Sequence, residues 1–98
     1  MDISFEQEGT ELVVALKGNL DTVAAPELES ALFSKLDGVE KLVFDLTELD
    51  YIASSGLRVL LASQKRMNRQ GEMIVRGANS DVMDIFEMTG FVEFLTIE

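Results

Sequence analysis

The chain has no cysteine, no histidine and no tryptophan, one proline, and only 8 basic residues against 18 acidic ones. Without cysteine, neither a disulfide framework nor a thiolate metal site can form, and a small fold lacking such staples suits a reducing compartment. Without histidine, the usual base that activates a serine nucleophile is missing, which removes the Ser-His-Asp mechanism. A Ser-Lys variant needs a desolvated lysine, whereas Lys17, Lys35, Lys41 and Lys65 all read as surface residues. The Gly-x-Ser-x-Gly elbow, the phosphate-cradling Gly-x-x-x-x-Gly-Lys-[Ser/Thr] loop and the Gly-x-Gly-x-x-Gly turn are absent as well. Asp45, Glu48 and Asp50 gather carboxylates of the kind that hold hard cations. In a polar turn such a group reads as solvated. The expectation is a chain that is not an enzyme and has no catalytic residue, no bound metal and no cofactor.

Long apolar runs are missing too. Nothing approaches the roughly 20 residues of a membrane-spanning helix, and Met1-Asp2-Ile3-Ser4-Phe5-Glu6 has no basic region of the kind that opens a secretory signal. A cytoplasmic location without direct membrane insertion is expected. The scarcity of bases leaves a formal charge of −10, which repels phosphate backbones and anionic headgroups through the same Coulomb field. Nucleic acid is therefore not an expected partner. A basic protein surface is, since opposite charge speeds and selects encounters.

What is present is enough apolar material for a core. Apolar residues make up 47% of the 98, which excludes the disordered class, and a chain of this length buries roughly 60–70% of its unfolded surface. One domain over 1–98 is expected. Ile3 to Glu8 alternates, Glu8-Gly9-Thr10-Glu11 supplies a turn, and Leu12 to Leu16 is a short apolar run ending at Gly18. These residues read as a strand pair. Leu28, Ala31, Leu32 and Leu36 form the stripe of a helix over Ala25–Leu36, with Pro26 in its first turn and Asp37-Gly38 as the stop. Lys41 to Leu46 reads as a buried strand and Ser55 to Arg69 as a second helix, with Leu57, Leu60, Leu61 and Gln64 on one side and Gln70-Gly71 at its end. Glu72–Arg76 predicts a strand. Ser80 reads as the cap of a short helix facing Val82, Ile85, Phe86 and Met88, and Phe91–Ile97 predicts a last strand. The five methionines read as core filler. The order β-β-α-β-α-β-α-β implies α/β layers with parallel strands joined by helical crossovers.

Chemistry concentrates between Phe44 and Leu61, where a buried strand passes through a polar turn into a helix. Sites of open α/β sheets lie beyond the carboxyl ends of the strands, and Ser54 is on that side. The unpaired first amides of a helix and its dipole favour an anion there, so a phosphate on Ser54 suits the helix that would carry it. The plainer reading is that Ser54 only caps the helix and Gly56 only permits close packing.

The segment Tyr51-Ile52-Ala53-Ser54-Ser55-Gly56-Leu57-Arg58-Val59-Leu60-Leu61 resembles the Asp-Ser-[Ser/Thr]-Gly-Leu signature of the STAS domain family, the anti-sigma-factor antagonists. Gly18-Asn19-Leu20-Asp21, followed by Ala25-Pro26-Glu27-Leu28, looks like the family's Gly-x-Leu-Asp turn and first-helix start, and Leu42–Leu46 precedes the signature as it does there. The resemblance implies one STAS-like α/β domain, with a mostly parallel central sheet of four to five strands and three to four helices. It also implies a bacterial signalling phosphoprotein that works by partner switching. Ser54, ahead of Ser55, would be phosphorylated by an anti-sigma factor that is itself a serine kinase and supplies the ATP. The modified protein would release that partner, and a serine phosphatase would restore it, which regulates transcription indirectly. The implied binding surface comprises Asp21, Thr22, Ala53, Ser54, Ser55, Gly56 and Arg58. Ala53 stands where the family usually has aspartate, and Ala24 where the first helix usually has a polar cap, a role Thr22 would then fill. The other reading is a STAS scaffold that uses the same face without phosphorylation, as an interaction subunit of a signalling or membrane-associated assembly.

Overall fold

The structure, a computed structural model, describes residues 1–98. Strands β1 (Asp2–Glu8), β2 (Glu11–Leu20), β3 (Lys41–Ile52) and β4 (Glu72–Arg76) alternate with helices α1 (Ala24–Phe33), α2 (Ser54–Met67) and α3 (Ser80–Thr89), and a 3-10 turn spans Phe91–Glu93. The sheet order is β1-β2-β3-β4. β1 pairs antiparallel with β2, while β2, β3 and β4 run parallel. Four strands and three helices thus form the mostly parallel α/β arrangement that the element order implies.

Alternation along the strands separates two faces. Leu12, Val14, Leu16, Leu42, Phe44, Leu46, Met73 and Val75 point into one core of 24 buried residues that also takes in Leu28 and Leu32 of α1, Leu57 and Leu60 of α2, and Val82 and Phe86 of α3. All three helices therefore cover the same side of the sheet. On the other side, Val13, Val43 and Ile74 lie in register across three strands. They are flanked by charges paired to one another, with Lys41 reaching Glu11 at 3.7 Å and Glu72 at 4.0 Å.

Several element boundaries differ from expectation. β3 does not end at Leu46 but runs to Ile52, because Leu49 and Ile52 continue its buried face. Register shifts against β2 between Ala15 and Lys17 and between Gly18 and Asn19 absorb the extra residues of β3. The segment expected as a polar turn is therefore strand. α1 stops at Phe33, three residues before Leu36, where the Ser34 hydroxyl donates to the Ala31 carbonyl at 2.8 Å and offers the backbone a local alternative to the helix. Leu36 is still buried, and Gln70 Nε2 donates to the Leu36 and Val39 carbonyls at 2.7 and 2.6 Å, which ties this loop down.

α2 begins at Ser54 and ends at Met67, rather than spanning Ser55 to Arg69. The cap of α3 is Asn79, not Ser80. Its Oδ1 accepts from the Val82 amide at 2.8 Å and its Nδ2 donates to the Leu49 carbonyl at 3.0 Å, joining α3 to the sheet. Gly90, at φ 78°, closes that helix in the left-handed region. No strand fills Phe91–Ile97, since the Phe94 and Leu95 amides turn back to the Phe91 carbonyl and only Ile97 bridges to Val75. Met67 and Met73 are buried, whereas Met88, expected on the core face of α3, is 85% exposed.

Candidate functional site

The loop from β2 into α1 and the junction of β3 with α2 meet at the carboxyl end of the sheet. Leu20 pairs with Ile52, and the Leu20 carbonyl accepts from the Ala53 amide at 2.9 Å, so the two segments are joined backbone to backbone. Gly56 faces this joint. A β-carbon there would stand 2.7 Å from Leu20 Cγ and 2.9 Å from Ile52 Cγ1. Gly56 is thus buried, and it lets α2 approach the sheet.

Asp21 closes the first segment. Its Oδ1 accepts from the Val23 and Ala24 amides at 3.1 and 2.8 Å, and its own carbonyl accepts from the Ala25 amide. The α1 start is therefore held by Asp21, and the Thr22 side chain, expected in that role, makes no such bond. Asp21 and Thr22 remain exposed, as does Val23 at 74%.

At the second segment, Ala53 is the extended residue before α2 (φ −88°, ψ 169°) and supplies no side-chain acceptor. The first helical bond runs from the Leu57 amide to the Ala53 carbonyl at 3.0 Å, so the amides of Ser54, Ser55 and Gly56 open the helix without helical partners. Ser54 is exposed at the first helical position and is not the cap, which corrects the plainer reading of its role. Ser55 turns inward. Its hydroxyl is buried without a hydrogen-bond partner in a cleft of about 200 Å³ between α1 and α2, lined also by Pro26, Glu29 and the exposed, unpaired Arg58. The difference in exposure makes Ser54 the accessible hydroxyl of the pair.

An acidic residue at position 53 would reach the open amides. Ala53→Asp is expected to raise stability by about 1 kcal/mol, the usual worth of such a cap. Thermal unfolding would show it as a rise of roughly 4–8 °C for a domain of this size. A melting temperature that does not rise would mean that the amides are already satisfied.

Two exposed apolar residues outside the expected binding set border this surface: Val23, and Tyr51 at 51% exposure opposite Asn19. The available signal was an apolar residue interrupting each polar turn. Asp45, Glu48 and Asp50 are not gathered into a metal-ligating group. Thr47 donates to Asp45 through its hydroxyl at 2.6 Å and its amide at 3.1 Å, and these bonds, aided by Arg76, hold the Asp45 carboxyl below its ordinary range against the opposing effect of burial. Glu48 pairs with Lys17 at 3.6 Å.

Comparison with known proteins bears on the domain as a whole. The model of the STAS domain matches residues 2–98. BtrV of Bordetella bronchiseptica is 32% identical over 99 residues, covering 99% of this chain and 85% of BtrV. The anti-sigma-B factor antagonist of Listeria monocytogenes is 30% identical over 104 residues, covering all of this chain and 90% of that protein. The crystal structure of an anti-sigma factor antagonist from Mycobacterium paratuberculosis superposes with a TM-score of 0.88 at 25% identity, covering 98% of this chain and 83% of that one.

Proposed function

The chain belongs to the STAS domain family, and from that premise we propose that it is an anti-sigma-factor antagonist switched by phosphorylation of Ser54. It is a regulator rather than an enzyme, acting in the cytoplasm as one domain over residues 1–98. No helix is long and apolar enough to cross a membrane. The unmodified surface around Asp21, Thr22, Ala53, Ser54 and Arg58 binds an anti-sigma factor that is a serine kinase, which frees the sigma factor. Ser54 Oγ then attacks the γ-phosphorus of the kinase's ATP. A Ser54 Oγ–P bond forms, the bond to ADP breaks, and the hydroxyl proton passes to a base of the kinase. A separate phosphatase hydrolyses the phosphoester and restores binding.

The observation that carries this reading is the exposure of Ser54 at the first position of α2, beside open amides and an exposed apolar rim of Val23 and Tyr51. The phosphoryl group brings about −1.5 to −2 charge. The amides accept that charge within the chain, but a partner pressed against Val23 and Tyr51 must desolvate it, and the exposed carboxylates of Asp21 and Asp50 oppose it. One local event therefore separates the two surfaces.

The test is incubation with the anti-sigma factor kinase and ATP, mapping of the product by mass spectrometry, and titration of wild type, Ser54→Ala and Ser54→Asp against the kinase. A single phosphate on Ser54 is expected. Ser54→Ala should bind like wild type and resist modification. Ser54→Asp should bind roughly tenfold or more weakly, a loss of about 1.4 kcal/mol. Unmodified protein with equal affinity in all three forms would sink the switch and leave a scaffold that uses the same face. Phosphate on Ser55 alone would move the switch by one residue.

A further inference from the structure

The bases of α2 are Arg58, Lys65 and Arg66, and the helix carries no acidic residue. Arg66 is paired to Asp37 at 2.7 Å, and Lys65 lies in the last turn. Arg58 stands apart from both. It is exposed and forms no ion pair, not even with Glu29, which lines the same cleft between α1 and α2. A free guanidinium is thus kept near the start of α2 on a chain with 18 acidic residues.

Arg58 follows Ser54 by four positions in one continuous helix. That spacing sets the two side chains one above the other on the same face, with β-carbons about 5–6 Å apart. Side chains on a helix lean back over the turn N-terminal to their own Cα, so Arg58 overhangs the first turn, where Ser54 is exposed. An anion placed N-terminal to a base at this spacing is the favourable order of an ion pair. The Ser54 hydroxyl brings no charge to that position, and a phosphoester on it would bring about −1.5 to −2.

We propose that Arg58 is the intramolecular partner of the phosphoryl group on Ser54. The inference rests on the phosphorylation reading above and adds which side chain of this protein holds the phosphate. The planar fork of the guanidinium matches two phosphate oxygens, and it approaches from the flank while the open amides of the first turn act from the helix end. No carboxylate of α2 competes for it. Phosphorylation therefore changes the surface twice, because it adds an anion and withdraws the free cation that the unmodified surface offers. A partner carboxylate paired to Arg58 loses its counter-charge at the same moment that it meets the phosphate.

Phosphoserine installed at position 54 by genetic encoding tests the pair without any kinase. A phosphorus NMR titration at about 0.15 M salt reads the second pKa of the phosphate, which a neighbouring cation lowers by favouring the dianion. In Arg58→Gln it should lie about half a unit above that of wild type, the size of an exposed charge-assisted pair, and Arg58→Glu should raise it further. Arg58→Lys should keep part of the lowering, as a charge without the fork. Lys65→Gln, an equal loss of charge at the far end of the helix, should leave it unchanged. Asp21, Glu29 and Asp50 are common to every variant, so their repulsion cancels in the comparison. The Arg58 Nε–H signal of wild type should shift with the same midpoint as the phosphate. Circular dichroism melts of the unmodified variants that match wild type establish that they fold. A phosphate that titrates alike in wild type and Arg58→Gln overturns the pair, even where a kinase modifies Ser54, and so does a shift in Lys65→Gln as large as that in Arg58→Gln. A kinase that leaves Ser54 untouched removes the switch, but the titration of the encoded phosphoserine still decides the pair.

Discussion

Gly71→Ala is expected to destabilise the protein by about 3 kcal/mol or more, at the upper end of what overpacking costs. The reason is room rather than handedness, since Gly71 is not among the glycines with positive φ. A β-carbon there would overlap the Glu40 carbonyl oxygen and stand 2.6 Å from the carbonyl carbon. That carbonyl accepts from the Glu72 amide at 2.9 Å, while the Glu40 amide donates to the Thr10 carbonyl at 2.8 Å. Glu40 thus joins the starts of β2, β3 and β4, and no side chain can rotate away to relieve the overlap. At about 4–8 °C per kcal/mol for a domain of this size, a thermal melt should fall by roughly 10–25 °C. A fall of only a degree or two would mean that the Glu40–Gly71 approach is looser than the structure shows.

The elements that were legible in the sequence share one property: their signal is local and periodic. The alternation of β1 and β2, the stripe of Leu28 and Leu32, and the run Leu42–Leu46 each follow from a face that must be buried. What was not legible depends on residues far apart. The second half of β3 looks polar, and it is strand because bulges opposite β2 return Leu49 and Ile52 to the core. α1 starts from Asp21, a residue the sequence marked for binding, and the loop that follows it is fastened by Gln70, 34 positions from Leu36. Asn79 outcompetes Ser80 as a cap because the same side chain also reaches Leu49 across the fold.

The site divides in the same way. Ser54, Ser55 and Gly56 stood out as a cluster, but their division into an exposed hydroxyl, a buried one and a packing position follows from the packing of the first turn of α2. That Ala53 leaves the helix uncapped became visible only once α2 was found to begin at Ser54 rather than at Ser55.

Gly56→Ala should cost about 1–3 kcal/mol by overpacking, and unlike the clash at Gly71 this one is reversible by a second substitution. The new methyl meets Leu20 Cγ and Cδ2 at 2.7 and 2.8 Å, and Leu20 is fully buried. Leu20→Ala alone leaves a cavity and costs about 2–5 kcal/mol. The methyl of Gly56→Ala partly fills that cavity, while the shortened residue 20 removes the two closest contacts and leaves only the one with Ile52 Cγ1 at 2.9 Å. The double variant should therefore lose less than the sum of the singles, with a coupling of about 1–2 kcal/mol from the denaturant-unfolding cycle. Strict additivity would mean that α2 adjusts elsewhere. Function should follow the same order. In Gly56→Ala the first turn of α2 must rise from Leu20, carrying Ser54 with it, so phosphorylation by the kinase should slow. In the double variant the turn can settle back, and the rate should recover although stability does not reach that of wild type. A kinase rate that tracked stability instead would show that Ser54 responds to global loosening, not to its distance from Leu20.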